Sequence, residues 1–241
     1  MGKNVVIAQF FTKMYNAQSN EIIDNIDIIK KTQKLYASVS RFGLELHTLI
    51  NFENENAVPS LQKIINVEPF SHYPSDKFYF LRWEVTFEYL LRHPEIEKAA
   101  LVDAGDVQMM NYPFADVQED TLYIGDEGVD LQTEIIKNDS KPRYLAQFIQ
   151  QNCHLQLLNA GVLVGTRQVL LEFLGILTEL YVQDAYEQTV HPDEAHLGNY
   201  EMSLVNYVAY QCFTDRLRHG RQVVTRFQYF ERASSAWFKH K

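Results

Sequence analysis

Ala100-Leu101-Val102-Asp103-Ala104-Gly105-Asp106-Val107 is an apolar run that ends abruptly in two carboxylates set around a glycine. Lys98 to Val102 has the compact hydrophobic character of a buried strand, and Asp103 follows it without a spacer. In open α/β sheets, ligands gather at the carboxyl ends of strands. Two carboxylates on the turn there suit a hard divalent cation, which takes oxygen ligands. Such a cation can bridge two oxygens of a diphosphate leaving group. Gly105 removes a side chain where a ligand can approach. A polar turn carrying two Asp residues is also a common surface structure, so the motif gains its weight from what surrounds it.

Upstream, Asn4 to Phe11 reads as a buried strand. Glu21 to Phe42 carries Ile22, Ile26, Ile29, Leu35 and Val39 at near-helical spacing and stops at Gly43. Leu44 to Asn51 alternates as a strand, Ser60 to Asn66 is expected to be a short helix, and Val67 to Phe70 a strand. Lys77 to His93 reads as a helix ended by Pro94. Downstream, Leu122 to Ile124 reads as a short strand, Arg143 to Gln151 as a helix and Leu157 to Val164 as a strand. Gln168 to Gln183 and Tyr200 to Phe213 read as helices, and Gln222 to Phe227 and Ala236 to His240 as short strands. Strands alternating with helices predict an α/β fold with a largely parallel sheet. The sequence has no internal repeat, low-complexity run or Pro/Gly/Ser linker, so one domain over residues 1–241 is expected.

The 241 residues are 46% hydrophobic and 22% charged, an ordinary globular balance. The net charge of −9 argues against nonspecific nucleic-acid binding. From Gln211 to Lys241 seven Lys/Arg stand against Asp215 and Glu231, so that segment carries +5 and the remainder −14. Such a basic segment is either a solvated patch or a source of charge for a diphosphate or an anionic acceptor. Cys153 and Cys212 sit in apolar surroundings and are expected to be buried free thiols in a reducing compartment. The first residues lack a signal-peptide core, and no apolar stretch reaches the ~18 residues of a membrane span. A cytoplasmic location is therefore expected, with peripheral membrane association left open, and the Asn138-Asp139-Ser140 sequon reads as a chance match. His191-Pro192-Asp193-Glu194-Ala195-His196 looks metal-rich but lacks the i, i+4 His pair of helical zinc sites. Asp126, Glu127 and Asp130 read as a solvated acidic loop, with acceptor contact as the alternative.

Four segments together resemble the GT-A glycosyltransferases. That class places an Asp-x-Asp motif at the end of a hydrophobic strand. Here the spacing is Asp103-x-x-Asp106, a variant found with a following Val and Pro-Phe, matched by Val107 and Pro113-Phe114. Leu158-Asn159-Ala160-Gly161-Val162 resembles the Asn-x-Gly strand beside the donor sugar. Asn offers both a donor and an acceptor to hydroxyls, and Gly admits backbone close to a ligand. Glu201-Met202-Ser203-Leu204-Val205-Asn206 resembles an Asp-Gln-x-x-Leu-Asn helix start, with Glu for Asp and Met for Gln. Trp237-Phe238-Lys239-His240-Lys241 resembles a closing segment whose His completes the metal shell.

The resemblance implies a single GT-A (Rossmann-like) α/β domain with a mixed central sheet flanked by helices. Residues 1–110 would form its nucleotide-binding half, and residues 111–241 its acceptor and sugar half with a metal and diphosphate tail. It implies Asp103, Asp106 and His240 as ligands of Mn²⁺ or Mg²⁺, and Glu201 and Asn159 as catalytic groups. Gln9, Phe10, Phe11, Thr12, Arg82, Asp103, Ala104, Gly105, Asn159, Ala160, Gly161 and Lys241 would bind the donor. Phe10, Phe11 and Tyr15 are expected beside the base, and Arg82 beside phosphate or Asp103. The implied partners are a UDP- or GDP-sugar donor and a glycan or lipid-linked saccharide acceptor, with no nucleic acid and no membrane span. Trp237 and Phe238 are expected to order as a lid only when metal and donor are bound. The competing expectations are a nucleotidyltransferase acting on sugar phosphates and a non-catalytic nucleotide-sugar-binding protein. Gln9-Phe10-Phe11-Thr12-Lys13 lacks the Gly of a nucleotidyltransferase phosphate loop.

Overall fold

The computed structural model describes residues 2–16, 21–22, 26–67, 77–226 and 233–240. In chain order its first half runs β1 (Lys3–Phe10), β2 (Tyr15–Asn16), β3 (Glu21–Ile22), α1 (Ile28–Ser40), β4 (Glu45–Ile50), β5 (Gln62–Asn66), α2 (Phe78–Arg92) and β6 (Ile96–Asp103). The second half runs β7 (Val107–Met109), β8 (Leu122–Asp130), α3 (Glu134–Asn138), α4 (Arg143–Gln151), β9 (Gln156–Thr166), α5 (Arg167–Val190) and α6 (Met202–Cys212). It closes with β10 (Leu217–His219), β11 (Val224–Arg226) and β12 (Phe238–His240).

A seven-stranded mixed sheet in the order β10-β8-β9-β6-β1-β4-β5 forms the centre. β5, β4, β1 and β6 are parallel, and β9 runs against both β6 and β8. The chain thus steps outward from β1 in one direction through β4 and β5, then crosses to β6 on the other side. Ligand crevices in open α/β sheets form at that reversal, outside the carboxyl ends of the strands. Here those ends are Phe10 and Asp103, with Gln9 directly opposite Asp103 in register.

β1 has buried neighbours on both faces, and its side chains alternate between two cores. Val5 and Ile7 join the core under α2, α5 and α6. Val6 and Ala8 join the core under α1 and a small sheet of β11, β12 and β7. That alternation is the period of two that a strand imposes. The α/β class and the mixed central sheet flanked by helices therefore stand as the sequence led one to expect.

Several boundaries differ from expectation. Residues 60–66 do not form a helix. β-branched Ile64 and Ile65 fit a pleated edge, and Gln62–Asn66 adds in parallel to the free side of β4. α1 starts at Ile28 rather than Glu21, because the Asp27 carboxylate accepts from the Lys30 N–H and caps it there. Of the strand expected over residues 67–70, Val67 lies just past β5, its N–H donating to Ile50 O at 2.7 Å. The rest of it lies outside the described residues. β8 extends to Asp130, so Asp126 and Glu127 belong to a strand rather than a loop, and Asp126 is buried against His219 at 2.9 Å. Cys153 is half-buried and Cys212 exposed, both as free thiols, so neither is a core residue. The basic segment is partly neutralised: Arg216 pairs with Glu172 and Asp120. No helix among the described residues is long and apolar enough to cross a membrane.

The C-terminal segment is core, not a lid. Trp237 and Phe238 are buried with Val107, Met109 and Val224. Met110 N–H donates to Trp237 O at 2.7 Å, and Phe238 N–H donates to Val223 O at 3.1 Å. The Asn111 side chain donates to the carbonyls of Ser234 and Ala236, both at 2.7 Å. Phe238→Ala should therefore cost about 3–5 kcal/mol of unfolding free energy, read from a urea titration at constant m; a change of only a few tenths would return the segment to the lid reading.

Glu84 on α2 is buried, and burial, aided by Glu88, pushes its carboxyl from 4.5 up to about 7. A carboxyl raised in the folded state holds a proton that the unfolded chain has released. Its cost to stability is absent below the unfolded pKa and grows as pH rises through 7. Glu84→Gln should raise the melting temperature at pH 8 while leaving it nearly unchanged at pH 4.5, and an equal effect at both would exclude this linkage.

Candidate functional site

β6 delivers Asp103 to the crevice, and the tight turn Ala104-Gly105-Asp106 returns the chain into β7. β12 pairs antiparallel with β7, placing His240 opposite Val107, one residue past Asp106. His240 Nε2 consequently lies 3.6 Å from Asp103 Oδ2 and 3.8 Å from Asp106 Oδ2. One ligand atom from each of the three residues falls within 4.8 Å of the others. His240 Nε2 is buried and has no hydrogen-bond partner among the described residues. A buried imidazole nitrogen left without a partner is costly. An ion bridging it to the two carboxylates would remove that cost. One nitrogen and two carboxylates suit a divalent ion such as Mn²⁺ better than an all-oxygen cage would.

Gly161 forms the floor. Val162 pairs with Val102, and Gly161 follows beside Asp103. A Cβ there would collide with His240 Cε1 and lie 2.8 Å from Asp103 Oδ2 and 2.9 Å from Asn159 Oδ1. The glycine is required by this three-sided approach and not by its backbone angles, since the positive-φ glycines are Gly43 and Gly220. The β8–β9 register shifts between Ile124 and Gly125, alongside Ala160-Gly161-Val162. Such irregularities re-aim side chains beside functional sites.

Behind Asp103 stands a buried cationic bracket. Arg82 of α2 donates from Nη1 to Asp103 Oδ1 at 2.6 Å and from Nη2 to Glu201 Oε1 at 2.5 Å. Its guanidinium lies 4.1 Å from the Trp83 ring centre. Burial, the largest influence, raises the Glu201 carboxyl above the usual carboxylate range, with Arg82 pulling the other way. The two carboxylates keep Arg82 charged in spite of its burial. Burial and the Glu201 carboxylate likewise push the Tyr79 phenol up.

The residues expected around a donor separate into three groups. Asp103, Ala104, Gly105, Asp106, Asn159, Ala160, Gly161 and His240 come together, with Arg82 and Glu201 directly behind Asp103. Gln9, Phe10, Phe11 and Thr12 lie at the end of β1 but are buried. Gln9 Nε2 donates to Thr86 Oγ1 at 2.7 Å, and Thr12 is clamped by Asn51 through its N–H and carbonyl. Phe10 and Phe11 belong to opposite cores. The side chain of Tyr15 and all of Lys241 lie outside the described residues.

Two further neighbours stand at the site: Lys31, which had no signature in the sequence, and Glu127, expected in a solvated acidic loop with acceptor contact as the alternative. Lys31 of α1 reaches the turn, where a Cβ on Gly105 would lie 2.9 Å from its Nζ, and the ammonium sits 5.7 Å from the Phe10 ring centre. Glu127 accepts from Asn159 Nδ2 at 2.6 Å. Only the irregular β8–β9 pairing brings Glu127 there. The metal-rich stretch at residues 191–196 is used locally: His196 Nε2 bonds His191 O at 2.8 Å, and its Nδ1 lies 3.4 Å from Asp184 Oδ1.

No protein-family model matches this chain, and no curated protein matches it. Among solved structures it is similar to a glycosyltransferase involved in the glycosylation of the major capsid of PBCV-1. The identity is 12% and the TM-score 0.49, over 99% of this chain and 94% of that one. A likeness of that size leaves fold and activity to be read from this chain's own residues.

Gly161→Ala should cost about 1–3 kcal/mol through overpacking. Adding His240→Ala should return part of that loss, because it removes the ring the new methyl meets; strictly additive melting data for the pair would mean that the imidazole does not lie over Gly161.

Proposed function

We propose that this chain is a divalent-metal-assisted glycosyltransferase of the GT-A type, moving a sugar from a nucleoside-diphosphate donor to a saccharide acceptor. The observation that carries the reading is the convergence of Asp103, Asp106 and His240 over the bare floor of Gly161, at the topological reversal of the sheet. An ion held by these three residues would supply a Lewis acid for a diphosphate leaving group.

In this reading residues 1–110 serve the nucleotide, and residues 111–241 serve the sugar and acceptor. Asp103, Asp106 and His240 would hold Mn²⁺ or Mg²⁺, which as a Lewis acid neutralises charge developing on the departing diphosphate. Lys31 stands beside the same turn and adds a mobile cation for phosphate. Arg82 fixes the Asp103 carboxylate so that it need not reorganise when substrate arrives. Glu201 is the buried group that holds Arg82, with Oε1 committed to the guanidinium at 2.5 Å. The crevice wall from Gln9 to Thr12, rigidified by Asn51 and Thr86, is where base and ribose would lie.

The test is calorimetry of UDP-, GDP- and CMP-sugars with and without Mn²⁺ on the full chain. One donor class should bind only with metal, and Asp106→Ala should abolish that binding while leaving the melting temperature of the free protein nearly unchanged. His240→Ala should weaken donor binding more in Mn²⁺ than in Mg²⁺. Donor binding that is indifferent to metal, or unchanged in Asp106→Ala, would refute the assignment.

A further inference from the structure

Inverting displacement of a diphosphate by a sugar hydroxyl needs a carboxylate that can take the hydroxyl proton. The carboxylates of the site are differently engaged. Asp103 and Asp106 face His240, and Asp103 also accepts from Arg82. Glu201 is buried and bonded to the same guanidinium. Glu127 is half-buried, and among the described residues no cation pairs with it.

Its position is built rather than incidental. The β8–β9 register shifts a second time between Asp126 and Asp130, so Glu127-Gly128-Val129 bulge from the ladder. The Gln156 side chain pins the bulge by donating to the carbonyls of Glu127 and Val129. The Asn159 amide is spanned between two partners. Its Nδ2 donates to Glu127 Oε1 at 2.6 Å, and its Oδ1 accepts from the Gly161 N–H at 2.7 Å. An amide has two N–H donors and an oxygen with two lone pairs, so Asn159 spends one of each as a bracket that fixes its plane and keeps one of each for a hydroxyl. Glu127 is thereby held one side chain beyond Gly161, itself against Asp103 and His240.

We infer that Glu127 is the catalytic base of the proposed transfer, and that Asn159 is the positioning residue that aims it. This rests on the proposed function. The acceptor hydroxyl oxygen bonds to the anomeric carbon as that carbon's bond to the diphosphate oxygen breaks. The electron pair leaves with the nucleoside diphosphate, and the hydroxyl proton passes to Glu127 Oε2, the oxygen Asn159 does not occupy.

Glu127→Gln and Glu127→Asp in the full chain test this, with calorimetry for Mn²⁺-dependent donor binding, steady-state kinetics for turnover, and thermal melting. Glu127→Gln should lower kcat by ~10²–10⁴ while donor affinity stays within about threefold of the unsubstituted chain. Glu127→Asp keeps a carboxylate and should restore much of the lost turnover. Asn159→Ala should lower kcat with donor affinity little changed. The inference is overturned if Glu127→Gln turns over normally, if donor affinity falls in step with kcat, or if the Asp variant is as slow as the Gln variant. An unsubstituted chain that binds no nucleotide-sugar in Mn²⁺ would instead refute the proposed function beneath it.

Discussion

One buried guanidinium ties the walls of the candidate site together. Arg82 leaves α2 and binds Asp103 at the end of the next strand, β6, and Glu201 at the start of α6, 119 residues beyond Arg82, so three elements share one cation. A planar fork can satisfy two carboxylates at once, which a lysine ammonium on a flexible stem does less well. Desolvating such a cluster is expensive, and ion clusters of this kind are seldom a net source of stability. What the cluster supplies is position. Asp103 is half-exposed at the crevice with one oxygen committed to Arg82 and the other turned toward His240.

The rest of the crevice is shaped by departures from regular pairing. A straight β9 beside a straight β8 would offer an alternating row of side chains. The two register shifts instead place Asn159, Gly161 and Glu127 on one continuous surface. The glycine contributes by what it lacks, and the asparagine by committing one donor and one acceptor to protein, which fixes the plane of its amide.

Much of the fold was legible because burial dictates period. β1 and β6 are doubly buried apolar runs, and α2 ends where Pro94 follows. β5 was misread as a helix because a short run with Ile64 and Ile65 carries no decisive period, and its identity depends on the open edge of β4. The site was legible where it sits on chain direction: Asp103 and Asp106 follow a strand that must end at the crevice. The meeting of His240 with them is fixed by tertiary pairing of β12 with β7, which only the family resemblance anticipated. The same dependence hid the fate of Trp237 and Phe238, whose partners in the core are far away in sequence. Lys31 was invisible as a site residue because a lysine on a helix has no local signature, and Glu127 was legible only as one acid of a loop with acceptor contact as the alternative, since its place beside Asn159 depends on the irregular β8–β9 pairing.

The three-stranded sheet joins segments separated by more than a hundred residues, as the Asn111 bonds to Ser234 and Ala236 show at separations of 123 and 125. Contacts that distant form late, since the entropy of closing the intervening loop must be met before any of them is gained. The main sheet offers many shorter-range pairings and has no need to wait for β12. His240 is therefore expected to reach the carboxylates late in folding, after the seven-stranded sheet. Trp237, packed 4.9 Å from Tyr123 between ring centres, travels with that segment. In a Trp83→Phe background, which removes the tryptophan of the other core, its fluorescence during refolding would time the birth of the site separately from collapse of the chain.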